Sequence, residues 1–155
     1  MAVAYQLVAR DGEAVATALV EDHIRYLRHP DRRSSDDAAA VVADLKAHVD
    51  FPVRLPDPAG SKLTGGRRCF LLGRRVALAF YDTTAGPASY FVFDGEGLSP
   101  PGRACPSEAD LACGLERGYR VVSWEEAGLL HALVGPDSEA LQAVAAAARH
   151  TLFGP

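Results

Sequence analysis

Apolar residues recur at helical spacing in three stretches of the chain, separated by short apolar runs that turn residues bound. From about Glu13 to Arg28, Val15, Leu19, Val20, Ile24 and Leu27 fall on one stripe, which predicts an amphipathic helix that Pro30 stops. A second helix begins at Ser34-Ser35. There Ser34 and Asp37 have capping-box spacing, a hydroxyl for an orphan amide and a carboxylate for the positive helix end. Its stripe is Ala38, Val41, Val42, Leu45 and Val49, and Phe51-Pro52 ends it. A third opens at Asp137-Ser138 and carries Leu141, Val144, Ala145, Ala148 and Leu152 on one face. Each stripe needs a surface to cover.

Between the second and third helices the period changes. Phe51-Pro52-Val53-Arg54-Leu55-Pro56 reads as an extended edge segment, because its prolines have no N–H for a ladder. Strands are predicted over Cys69–Leu72, Val76–Tyr81, Ser89–Phe93, Tyr119–Trp124 and Leu129–Val134, with turns at Gly73-Arg74-Arg75, Thr84 to Pro87 and Glu125 to Gly128. Residues 94–118, rich in Gly and Pro, read as one long loop. The expectation is a single α+β domain over residues 1–155: an antiparallel sheet of about five strands with two N-terminal helices and one C-terminal helix. The apolar start, Met1 to Ala9, reads either as a first strand or helix extension, or as the trailing edge of a membrane-spanning segment, with residues 1–12 juxtamembrane.

Composition narrows the function classes. At 155 residues, 48% hydrophobic and 23% charged, the chain has the profile of one globular domain that needs no metal or disulfide to fold. Its net charge of −4 disfavours nucleic acid as a partner. No run reaches the roughly 20 apolar residues that span a bilayer. A Gly-rich phosphate loop, a His-Glu-x-x-His, a Gly-x-Ser-x-Gly and a CxxC are all absent from the sequence, so neither a catalytic centre nor a cofactor is expected.

Three groups of residues invite chemistry. Cys105 and Cys113 lie in the same polar segment with seven residues between them and are the plausible pair, while Cys69 reads as a small core residue. In an oxidising compartment the pair would form a disulfide, either structural or a redox sensor that reorders the loop; in the cytosol it would stay reduced. His23 and His29 flank the end of the first helix, His48 ends the second, and His131 alternates with Leu129 and Leu133. None of these pairs has the i, i+4 spacing that puts two imidazoles on one face, so structural roles are expected rather than a metal set. The cluster Arg25, Arg28, His29, Arg32 and Arg33 suits a solvated helix end, or contact with membrane phosphates or an acidic partner.

Four segments together resemble the membrane-distal domain of transmembrane anti-sigma factors. They are Glu21 to Leu27 leading into Arg33-Ser34-Ser35-Asp36; Phe51 to Asp57 with Leu63-Thr64-Gly65-Gly66-Arg67-Arg68; Leu71 to Tyr81; and Gly118-Tyr119-Arg120-Val121-Val122-Ser123-Trp124 continuing to Leu133-Val134-Gly135. They cover roughly residues 21–148, mostly glycines, caps and core apolars, and so bear on fold more than on chemistry. The resemblance implies a non-catalytic sensor or interaction domain on the extracytoplasmic face of a bacterial inner membrane, membrane-proximal and responsive to a ligand or protein signal. A sigma factor would be bound only through an N-terminal module that this sequence does not contain. The alternative is a small-ligand-binding or enzymatic α+β domain with a site between helices and sheet.

Overall fold

The computed structural model describes residues 2–30 and 35–154, with residues 2–10 as backbone alone. In chain order the elements are α1 (Ala2–Arg28), α2 (Ala38–Lys46), β1 (Lys62–Leu71), β2 (Arg74–Thr83), β3 (Gly86–Asp94), β4 (Arg103–Cys105), β5 (Glu108–Glu116), β6 (Tyr119–Glu126), β7 (Leu129–Pro136) and α3 (Glu139–Phe153). The strands form one antiparallel sheet in the order β1-β2-β3-β7-β6-β5-β4. Two meanders, β1 to β3 and β4 to β7, are joined at the centre, where Ser89–Asp94 pairs with Leu129–Val134. Among the described residues, no helix is long and apolar enough to cross a membrane.

This corrects the expected architecture. The sheet has seven strands rather than five, and the two N-terminal helices do not cover it together. Alternation along each strand divides the core in two. Val76, Leu78 and Phe80 of β2, with Phe91, Phe93, Leu130, Ala132 and Val134, pack against Val15, Leu19 and Val20 of α1. Their neighbours Ala77, Ala79 and Tyr81, with Tyr90, Val92, Trp124 and Leu133, pack on the opposite face against α2 and α3. The central strands are therefore buried on both faces, which is why they read as unbroken apolar runs rather than as a polar–apolar alternation.

The missing strands lie in the segment read as a loop. β4 is three residues long, too short for any period to show. In β5 only Leu111 is a buried large side chain; Leu115 is exposed, and the rest is Ala, Gly, Cys and acidic residues with weak strand preference. The signal that would have revealed β5 is the dipeptide Arg117-Gly118, both at positive φ (52° and 84°), as a two-residue hairpin turn requires. Leu72-Gly73 and Ala127-Gly128 make the same turn.

Smaller corrections follow from local geometry. Asp37 is itself the N-cap of α2, its carboxylate accepting from the Ala39 amide, and Ser34 lies outside the described residues. The segment Phe51–Pro56 joins no ladder; Val53 is buried in the core and the Pro56 carbonyl accepts from Tyr81 Oη at 2.7 Å. β1 begins at Lys62 and runs through Gly65-Gly66, where a Cβ on Gly66 would collide with the Val41 side chain. That glycine lets α2 lie close on β1. α3 opens at Ser138, whose hydroxyl accepts from the Ala140 amide, and buries all five residues of its predicted stripe.

Candidate functional site: a disulfide-closed hairpin and the groove beside it

At the far edge of the sheet the chain turns at Pro106-Ser107 to make the β4–β5 hairpin. Its ladder pairs Arg103 with Cys113 and Ala104 with Ala112, then shifts to pair Cys105 with Glu108. A disulfide joins Cys105 to Cys113 across this irregular hairpin, with Cα atoms 5.0 Å apart. Its two ends differ in environment. Cys105 is only 4% exposed and belongs to the core under α3, whereas Cys113 is half-buried. Cys113 also lines an open groove of about 640 Å³ between β5, β6 and α3.

The floor and walls of that groove are largely apolar, with Gly114, Leu115, Ala143 and Ala146 among them, and Leu115 is 63% exposed. Glu108 and Glu139 supply negative charge at its margin. Arg120, also in the lining, is held to Asp137 at 3.0 Å. Gln142 bridges helix and hairpin: its amide nitrogen donates to the Pro106 carbonyl at 2.7 Å, and its Oε1 lies 3.7 Å from Cys113 Sγ. A disulfide sulfur has no hydrogen to donate, so the second approach is a contact and not a hydrogen bond. Close packing also holds the hairpin's entry. Gly102 has φ +93°, and a Cβ there would strike the Cys113 carbonyl.

The histidines are placed one by one in structural settings. On α1, His23 is fully buried, with Nδ1 2.7 Å from Ser89 Oγ of β3 and its ring edge-on to Tyr119. Burial lowers its pKa to about 4. Beside it Asp22, also buried, pairs with Arg67 at 2.6 Å and with Arg25 at 3.5 Å. On the opposite face His131 Nδ1 lies 2.6 Å from Tyr90 Oη, and its ring stacks on Trp124 at 5.3 Å between centroids. Burial lowers the His131 pKa to about 4 and pushes the Tyr90 hydroxyl well above its ordinary range, so the neutral pair is favoured. His48 donates through Nε2 to the Cys69 carbonyl at 2.8 Å, which ties the end of α2 to β1. The free thiol of Cys69 is buried; burial first, then the Asp22 carboxylate, raises its pKa to about 11. His29 and His150 are exposed. Among the described residues, no group of three or more His, Cys, Asp or Glu side chains is placed to hold a metal ion.

Of the basic cluster, Arg25 and Arg28 are exposed in the last turn of α1, and Arg32 and Arg33 lie outside the described residues. The site that sequence reasoning missed is the groove itself. Leu115, Arg120 and Gln142 look like ordinary surface and strand residues until the β5–β6 turn and the packing of α3 bring them beside Cys113.

No protein-family model and no curated protein matches this chain. Among solved structures, a GTP-binding regulator from Thermotoga maritima is similar over 61% of this chain and 80% of its own, at 15% identity and a TM-score of 0.44. A likeness that distant supports no statement about fold or function here.

Proposed function

We propose that this chain is the extracytoplasmic sensor or interaction domain of a membrane-bound anti-sigma factor. The four resembling segments support the family. The observation that carries the placement is the Cys105–Cys113 disulfide, because such bonds persist in oxidising compartments and are rare in the cytosol. In this reading a signal acts by differing in affinity for two states of the domain, and those states bias a sigma-binding module elsewhere in the parent protein.

The same reading bears on the arginine cluster. At 1.5 Å per residue, the helical path from Ala2 to Arg25 is about 35 Å. If α1 rises from a membrane at its N-terminal end, Arg25 and Arg28 sit far from the lipid headgroups. Their role is then toward a partner protein. Two experiments test the proposal. A periplasm-dependent phosphatase fused at the C-terminal end of this segment in its full-length parent should be active, and the isolated chain should bind no sigma factor. An inactive phosphatase fusion, with a cytoplasm-dependent reporter active at the same fusion point, would overturn the placement.

One observation favours a second reading. The groove between α3 and the β5–β6 strands lies between helix and sheet and has the volume of a small-molecule site. Ligand-induced protection of Gln142 and Leu115 from hydrogen exchange, in a parent lacking any sigma-binding activity, would favour a ligand-binding domain.

A further inference from the structure

We infer that the Cys105–Cys113 disulfide is a thiol-exchange site, attacked at the Cys113 sulfur by an uncharged dithiol entering the groove, and that its opening frees the short edge strand β4 from β5 while Gln142 keeps Cys113 on α3. The inference does not rest on the anti-sigma reading.

Three observations carry it. The first is the asymmetry of the bond. Attack on a disulfide needs open space at the sulfur that accepts the nucleophile; Cys113 lines the groove, while Cys105 is buried under α3. The second is Gln142. While the bond is intact, its Oε1 faces a sulfur with no hydrogen; once Cys113 is a thiol, the same oxygen is an acceptor already in place at 3.7 Å. Its other end holds the Pro106 carbonyl, so one side chain touches both the attacked sulfur and the hairpin turn. The third is the weakness of what remains. β4 is a three-residue edge strand whose ladder shifts register before the turn, and so short a pairing opens readily without a covalent closure.

The electrons and atoms balance as follows. One thiolate of the dithiol attacks Cys113 Sγ, the Cys105–Cys113 bond breaks, and Cys105 leaves as a thiolate. The second thiol then attacks the reagent's own sulfur in the mixed disulfide, which releases the Cys113 thiolate and a cyclic disulfide. Two electrons pass from the dithiol to the protein, and its two protons end on Cys105 and Cys113. The carboxylates of Glu108 and Glu139 at the groove margin, with Arg120 already held by Asp137, disfavour a reagent that carries a carboxylate of its own, so the dithiol bears no charge beyond the attacking thiolate.

The test uses the native chain. A brief exposure to 2-mercaptoethanol, quenched in acid and mapped by peptide mass spectrometry, should place the mixed disulfide on Cys113 at least ten-fold more often than on Cys105. Reduction by dithiothreitol should be first order in reagent under native conditions. Hydrogen exchange after reduction should speed up at least ten-fold in residues 103–108, with β2, β3 and α3 unchanged. The variant carrying Cys105→Ser and Cys113→Ser should show the same open hairpin without any thiol. An adduct mainly on Cys105, or evenly shared, overturns the inference. So does a reduction rate independent of dithiothreitol, which would mark prior unfolding. Hairpin protection that survives in the double variant overturns it too, as does a loss of protection throughout the sheet.

Discussion

Acid should weaken this protein well before its carboxylates are protonated, because two histidines are buried in the neutral form. His23 and His131 have pKa values lowered by burial to about 4, against 6.5 for an exposed imidazole. Each lowered pKa means that the unfolded chain binds more protons than the folded one between those two values. The stability these groups contribute is therefore fully present above pH 6.5 and is lost as pH falls toward 4. Within that window each histidine contributes a slope of about 1.4 kcal/mol per pH unit. From pH 7 to pH 5 that is about 2 kcal/mol apiece, or about 4 kcal/mol for the pair, a large share of a domain's typical stability. The sites lie on opposite faces of the sheet, His23 under α1 and His131 under α3, so their effects should add. Urea unfolding at pH 7, 6 and 5, followed by circular dichroism, measures this directly. Proton uptake on unfolding at pH 5 should be close to two, and His23→Asn or His131→Asn should each remove about half of it. A flat stability between pH 7 and 5, or a slope unchanged in both variants, would refute the reasoning.

The other predictions concern single contacts. Removing the disulfide by Cys105→Ser and Cys113→Ser should lower stability by about 2–3 kcal/mol from the chain-entropy estimate for so short a loop, read as a drop in the urea midpoint. Arg67→Ala leaves the buried Asp22 carboxylate with only the more distant Arg25, so a loss of about 3 kcal/mol is expected; Arg67→Lys should recover part of it, and equal losses would contradict the ion-pair account. Ser138→Ala removes the α3 cap and should cost about 1 kcal/mol in thermal or urea unfolding, whereas Ser138→Asp should be nearly neutral. Gly102→Ala should destabilise far more than Gly118→Ala, since a Cβ at Gly118 meets nothing and carries only backbone strain; similar losses would mean the hairpin entry is loosely packed.

Three helices and five of the strands were legible in the residue pattern, the helices from apolar residues recurring at 3.6 and the strands from short apolar runs between turn residues, although Leu27 of the first stripe and Ala38 of the second are exposed and Val49 lies beyond α2. The α3 stripe from Leu141 to Leu152 is buried in full. What pattern could not carry were β4 and β5, where the chain is short, small-residue-rich and closed by a disulfide rather than by apolar burial. Nor did periodicity say which face each helix would cover. α1 and α2 look alike in sequence, yet they lie on opposite sides of the sheet, and only the sheet's double-sided burial decides that.

The candidate site shows the same division. Cys105 and Cys113 were recognisable as a pair from their shared segment, since proximity in sequence alone makes pairing feasible. That one sulfur is buried, that the other borders a groove, and that Gln142 stands beside it are facts of tertiary structure. They depend on α3 returning across the sheet to residues some 30 positions earlier in the chain. The sequence determined the three helices and five of the strands, through apolar spacing, turns and caps. Only the fold decided what they bring together, because contacts between distant segments leave no local repeat to read.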